Sequence, residues 1–97
     1  MTNAVVDFET FFDKAAGLSV TKQGNANYVR DADAYIVAIQ VGNEVHCGTI
    51  AEMGDRASNM ASDPTLTFGA ANSGFDRAWW NKYYPPTFNM DWQCVLI

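Results

Sequence analysis

The sequence predicts an α/β protein built on a mixed sheet with flanking helices. Three observations support this fold class: an apolar run near the N-terminus at residues 4–8, an antiparallel hairpin at residues 34–50, and a strand leading into a helix across residues 66–84. A hairpin combined with a strand-to-helix unit is typical of a sheet that has both antiparallel and parallel neighbours. The chain has 97 residues, which is enough for one small domain.

The hairpin is the most clearly marked element. Residues 34–41 read AYIVAIQV, which is apolar on both alternating faces except at Gln40, so the pattern predicts a strand covered on both sides. Gly42 and Asn43 suit a two-residue turn, and residues 44–50 alternate as a returning strand.

The other segments follow from shorter patterns. In the first run, residues 4–6 predict a buried strand with Asp7 and Glu9 at its exit. The remaining predictions, in chain order, are an irregular or helical turn at 11–17, a short helix at 24–30, a helix at 52–61, a strand at 66–69, a helix at 73–84 that ends at two prolines, and a strand turning into a helix at 88–97.

The composition narrows the classes of function. The net charge is −5, from 6 basic and 11 acidic residues, which argues against simple electrostatic binding to nucleic acid. Cations could still bridge a carboxylate cluster to phosphate. Cys47, Cys94 and His46 are too few for a disulfide scaffold or a structural zinc site, and we expect His46 to be a surface or packing residue. With no signal peptide and no membrane-length apolar run, we expect a cytoplasmic protein.

Two acidic residues near the N-terminus could bind a metal. Asp7 and Glu9 are two apart, so on a strand they point to the same face. They would repel each other unless a cation lay between them, and Mg²⁺ prefers carboxylate oxygens. Alternatively, both are solvated acids at the end of a strand.

A third acidic residue, Asp76, starts the predicted helix at 73–84. Ser73 as N-cap with Asp76 three residues later fits a capping box, which is a purely structural role. Trp80 and Tyr83 fall near the Asp76 face, where aromatic rings could stack on unpaired bases or simply belong to the core.

Taken together, the acidic segments resemble motifs of the DEDD exonuclease superfamily. VVDFET at 5–10 is similar to the first exonuclease motif, and NSGFD at 72–76 to the second. YVRD at 28–31 is similar to the segment between them in the proofreading domains of phage family A DNA polymerases. The resemblance covers nearly the whole chain.

The resemblance implies a ribonuclease-H-like fold and two-metal hydrolysis with Mg²⁺ or Mn²⁺. Asp7 would bridge both ions, Glu9 would bind the ion that activates water, and Asp76 would help to hold the second ion. Thr10 would lie beside the primer terminus and Asn72 would orient the second motif. The implied substrate-binding set is Phe8, Thr10, Asn72 and Phe75. The substrate would be a single-stranded or frayed DNA 3′ end, with an attached or associated DNA polymerase. The resemblance to phage enzymes also implies a phage-encoded protein in a bacterial host.

The sequence departs from the family pattern in two places. Ala71 stands where family members often carry a histidine, and residues 87–97 do not supply the third motif, a Tyr or His followed by a fourth Asp. We therefore expect residues 1–97 to be a partial domain, incomplete at the C-terminus, with weak or no activity alone. Apolar surface around Trp92, Val95 and Leu96 would promote self-association, or the chain after Pro86 would be disordered.

A non-catalytic small α/β module that binds a protein partner is the alternative function. The acidic charge and the absent third motif favour it, as does the aromatic cluster of Trp79, Trp80, Tyr83 and Tyr84. If exposed, such a cluster would be a strong anchor for a partner.

Overall fold

The computed structural model describes residues 2–11 and 24–95 as a small α/β fold. Its elements, in chain order, are β1 (Thr2–Thr10), α1 (Asn25–Asp31), β2 (Ala34–Val41), β3 (Glu44–Thr49), α2 (Gly54–Ala61), β4 (Leu66–Ala70), α3 (Ser73–Tyr83) and β5 (Gln93–Cys94). The predicted turn at 11–17 lies outside the described residues except at Phe11. The predicted order of strand, hairpin, helix, strand and helix is confirmed.

The five strands form one mixed sheet in the order β3-β2-β1-β4-β5. β2 is antiparallel to both β1 and β3, whereas β4 is parallel to β1 and to β5. The predicted hairpin is confirmed, with Val41 opposite Glu44 across the two-residue turn. Gly42 has φ of 59° and Asn43 does not have a positive φ, which is the pattern of a type II′ turn.

β1 is longer than the sequence pattern predicted. It extends to Thr10, so Asp7 and Glu9 lie within the strand and pair with Ala38 and Ile36, instead of following the strand. Both acidic side chains are exposed, because they point to the face of the sheet opposite the buried Val6. A strand can therefore continue through charged residues on one face while its other face stays apolar.

The core lies on one face of the sheet. Ala4, Val6 and Phe8 of β1 belong to a single buried cluster that also contains buried residues from each of the three described helices. The second face, which we call the open face, presents Val5, Asp7, Ala38, Gln40 and Val45 around a shallow groove.

The prediction that β2 is covered on both faces is confirmed for the core face only. Within the described residues, the open face of β2 is partly exposed. Val37 and Ile39 are fully buried, whereas Ile36 and Ala38 on the open face are half-buried and Gln40 is exposed. The apolar pattern of β2 was a poor guide here because small and β-branched residues can also occupy a partly solvated face next to other strands.

The aromatic residues of α3 are mostly core residues. Trp79 and Trp80 are fully buried and Tyr84 is 7% exposed, so the condition under which this cluster would anchor a protein partner is not met. The same burial excludes Trp80 from stacking on bases in this conformation. Phe68, Trp80 and Trp92 pack against each other with centroid separations of 5.0–5.8 Å.

The segment after Pro86 is bound to α2 and to the start of β4 by hydrogen bonds. The backbone N–H of Phe88 donates to the carbonyl of Ala61 at 2.6 Å, and the side-chain amide of Asn89 donates to the carbonyls of Pro64 and Leu66. Trp92 stacks on Phe68 and so helps to cover the core instead of being exposed.

Lys82 ties α1 to α3. Its Nζ donates to the carbonyls of Val29 and Ala32 at 2.7 and 2.5 Å, at the C-terminal end of α1. α1 has seven residues, too few for a helix to be stable without tertiary contacts. The cation satisfies carbonyls that the helix leaves without partners and interacts favourably with the helix dipole.

We therefore expect Lys82→Met to destabilise the protein by about 1–2 kcal/mol through the loss of these two charged hydrogen bonds. Chemical denaturation followed by far-UV circular dichroism measures the change. Arg30→Met is the matched control, because it removes a cation from the exposed surface of α1, where the guanidinium donates to the adjacent Asp31. Equal losses in both variants would contradict the role assigned to Lys82.

Candidate functional site

Asp76 is held against the middle of the sheet by a contact between distant parts of the chain. It lies in the first turn of α3 and is only 6% exposed. Its Oδ1 accepts a hydrogen bond from the backbone N–H of Phe8 at 3.2 Å, across a sequence separation of 68 residues. The short connection from β4 to α3 brings this about, since β4 runs parallel to β1 and α3 starts at the end of β4.

The start of α3 differs from the predicted capping box. Asn72 is the N-cap, and its side chain accepts from the backbone N–H of Phe75 at 3.4 Å. Ser73 Oγ instead lies 3.0 Å from Cys94 Sγ. Because Asn72 caps the helix and Asp76 turns to β1, the carboxylate of Asp76 contributes to a contact between elements.

The environment of Asp76 favours its protonated form. The pKa of Asp76 is raised to about 6, mainly by burial and to a smaller extent by the negative charge of Asp7, while the hydrogen bond from Phe8 opposes both effects. Asp7 itself is exposed. The structure thus brings the acids of the two sequence motifs close enough to interact electrostatically.

Glu9 is not part of a three-carboxylate group. It is exposed on β1 opposite Ile36. Within the part of the chain that the structure describes, no three His, Cys, Asp or Glu side chains are grouped so that they could hold a metal ion together. The two carboxylates of Asp7 and Asp76 have the chemistry that a hard divalent cation prefers. A positive charge near both would offset their mutual repulsion and the cost of burying the ionised form of Asp76.

The predicted aromatic contacts to substrate are largely replaced by core packing. Phe8 is 5% exposed and its ring lies 6.4 Å from that of Tyr84, so its side chain is not available to a substrate. What Phe8 supplies to the site is its backbone N–H. Phe75 is half-buried and stacks on Tyr28 at 6.2 Å.

Tyr28 joins the two motifs, a role that the sequence analysis missed. Its hydroxyl lies 2.9 Å from Thr10 Oγ1 and donates to the carbonyl of Phe11 at 2.5 Å. Its ring contacts Phe75 and, edge-on at 5.8 Å, Trp79. Thr10 is therefore held at the end of β1 by a buried tyrosine. The only signal in the sequence was the likeness of YVRD at 28–31 to the segment between the two motifs.

His46 lies away from these residues, on β3. Its Nε2 is 3.4 Å from Glu44 Oε2 and 3.5 Å from Arg56 Nη1, next to the edge of the sheet. This position agrees with the expectation of a surface or packing residue.

Comparison with known proteins adds no assignment: the chain matches no family model, no curated protein sequence and no solved structure at the significance required. In residues 2–11 and 24–95, none of the helices has the length and apolar character needed to span a membrane.

Proposed function

We propose that this chain is a metal-dependent nuclease domain of the 3′–5′ exonuclease type, with a ribonuclease-H-like fold. The mixed five-stranded sheet with flanking helices agrees with that fold. The observation that carries the proposal is the contact of Asp76 with the β1 backbone at Phe8, directly beside Asp7. Two motifs far apart in sequence, each containing an acidic residue, thus meet at one place.

The residues of this chain have separable roles in the proposed site. Asp7 and Asp76 hold the cation, and the N–H of Phe8 fixes Oδ1 of Asp76, which leaves Oδ2 for a ligand. Glu9 is on the same strand but is not grouped with Asp7 and Asp76 in the described part of the chain, so the proposed site depends on two carboxylates. When bound, Mg²⁺ or Mn²⁺ supplies the positive charge that stabilises the oxygens of a phosphodiester during hydrolysis.

The raised pKa of Asp76 sets the expected pH dependence of metal binding. A proton on Asp76 competes with the cation, so the affinity for the metal rises as the pH increases through about 6 and then levels off.

Thr10, held by Tyr28, lies at the end of β1, where the resemblance implies that the DNA 3′ end would bind. The substrate would be a single-stranded or frayed DNA strand, and a DNA polymerase would be the natural partner.

The alternative of a non-catalytic binding module has lost its most specific support. It depended on an exposed aromatic anchor, and Trp79 and Trp80 are fully buried. The acidic charge and the absence of the third motif from residues 87–97 do not favour any particular protein partner.

Metal-dependent stabilisation provides the first test. We expect 10 mM MgCl₂ to raise the free energy of unfolding by about 1 kcal/mol, as for a site with a dissociation constant on the order of 1 mM. Asp7→Asn and Asp76→Asn should each abolish this increment because each removes one of the two carboxylates. Thermal unfolding with and without metal, at pH 7.5 and constant ionic strength, gives the measurement.

Asp91→Asn is the matched control, because it removes an exposed acid outside the proposed site. Release of nucleotides from 3′-labelled single-stranded DNA with Mn²⁺ then tests the reaction itself, and we expect little activity from residues 1–97 alone. Stabilisation by Mg²⁺ that persists in both the Asp7 and Asp76 variants would overturn the proposed site.

A further inference from the structure

The outer edge of β3 offers unpaired backbone groups. β3 is the first strand in the sheet order, and no described strand pairs with its outer side. Val41 and Glu44 close the two-residue turn and exchange hydrogen bonds, so the backbone groups of Val45, Cys47 and Thr49 point away from β2.

One end of this edge is already occupied. The backbone N–H of Thr49 donates to Glu52 Oε1 at 2.9 Å, and its carbonyl accepts from Met53 at 3.0 Å. These two bonds are independent evidence that the backbone N–H and C=O groups of the odd-numbered residues of β3 point away from β2. Among the described residues, the N–H and C=O groups of Val45 and Cys47 have no such partner.

The side chains on this edge do not protect it against pairing. Edge strands commonly carry Lys, Pro or a bulge that prevents association, whereas β3 reads EVHCGT and pairs with β2 in unbroken register. Val45 is 63% exposed and Cys47 is exposed as well, both on the open face. The edge is therefore apolar at the two positions whose backbone groups are available.

We propose that β3 pairs antiparallel with β3 of a second copy of this chain, with the two-fold axis at His46. In this register Val45 of each copy lies opposite Cys47 of the second copy, and all four available backbone groups of each strand form hydrogen bonds. The arrangement is isologous, as most homodimers are. Two five-stranded sheets become one continuous sheet of ten strands.

Charge and packing favour a second copy as the occupant of this edge. Glu44 lies opposite the uncharged Gly48 of the second copy and diagonal to its His46, so the carboxylates of the two Glu44 residues do not face each other. Each Val45 gains an apolar neighbour in the second copy's Cys47. The contact is short and falls below the usual area of stable dimers, so we expect a dissociation constant on the order of 100 μM.

Sedimentation equilibrium at increasing protein concentration tests the proposal. We expect a reversible monomer–dimer equilibrium. Val45→Lys should raise the dissociation constant of the dimer about tenfold or more, because it places a charge against the apolar Cys47 of the second copy. Phe88→Lys is the matched control, because Phe88 is 64% exposed but lies far along the chain from β3. Equal weakening by both variants would indicate unspecific apolar association and would overturn the proposal.

The register is tested by cross-linking. His46→Cys, with Cys47 and Cys94 changed to Ser, places one thiol on each side of the two-fold axis at a separation that permits a disulfide. We expect a covalent dimer with mild oxidant, whereas Asn43→Cys in the same background should remain monomeric. A monomer at all concentrations, or capture of extended peptides without dimerisation, would contradict pairing with a second copy.

Discussion

At pH 7.5, the Asp76→Asn variant is expected to be more stable than the parent protein by about 1–3 kcal/mol. Burial raises the pKa of Asp76 from 3.8 to about 6, so the folded protein holds an ionised carboxylate at a cost at this pH. Asparagine has the same shape, keeps an oxygen that can accept from Phe8, and has no charge. Its amide N–H₂ needs new partners, which is why the gain is smaller than the full electrostatic cost.

The sign of the pH dependence follows from the same shift. Because the folded pKa is above the unfolded value, the folded state binds more protons between pH 4 and 6, and the parent becomes more stable as the pH falls through this window. Below it, acids with lowered pKa values such as Asp63, bonded by Thr65, and Glu52, bonded by Thr49, lose their contribution. We therefore expect maximal stability of the parent near pH 5.

Thermal unfolding from pH 4 to pH 8 without added metal measures both effects, at roughly 4–8 °C per kcal/mol for a domain of this size. The difference between the parent and Asp76→Asn should shrink towards zero as the pH falls to about 4, where both side chains are neutral. Asp91→Asn again serves as the control with an exposed acid. If the parent protein is no more stable at pH 5.5 than at pH 7.5, burial does not destabilise the ionised form of Asp76.

The second large effect concerns the core. We expect Trp80→Ala to destabilise the protein by about 3–5 kcal/mol, which is a large part of the total for a domain of this length. Trp80 is fully buried, its Nε1 donates to the carbonyl of Pro85 at 2.8 Å, and its ring packs on Phe68, Tyr84 and Trp92. Its removal leaves a cavity where α3, β4 and the segment after Pro86 meet.

Urea unfolding followed by circular dichroism measures this loss. Phe88→Ala is the control, because it removes an aromatic ring of which 64% is exposed and should cost less than about 0.5 kcal/mol. A Trp80→Ala protein that unfolds at the urea concentration of the parent would contradict the packing described for α3.

Local chemistry explains why much of the fold could be predicted. Gly42 and Asn43 mark a two-residue turn, and Pro85 and Pro86 end a helix, because each acts on the backbone where it stands. The length of β1 could not be predicted in this way. Asp7 and Glu9 resemble the end of a strand, and only the pairing with β2 shows that the strand continues through them.

The candidate site was predictable in its residues but not in its contacts. Strand alternation and two short motifs pointed to Asp7, Glu9 and Asp76. The position of Asp76 against Phe8, however, depends on β4 pairing parallel to β1, which no local pattern encodes. The same holds for Tyr28, since a tyrosine in a short helix gives no sign that its hydroxyl will reach Thr10.

The order of the strands has a consequence for how the chain acquires its fold. β1 precedes the other described strands in the chain, yet it lies in the centre of the sheet between β2 and β4. Pairing of β1 with β2 closes a modest loop, whereas pairing of β1 with β4 brings together Thr2 and Leu66, which are far apart in the sequence. Loop closure over that separation is slow compared with hairpin formation. Without β4, one side of β1 would have no partner in the sheet, so pairing with β4 is what encloses the central strand.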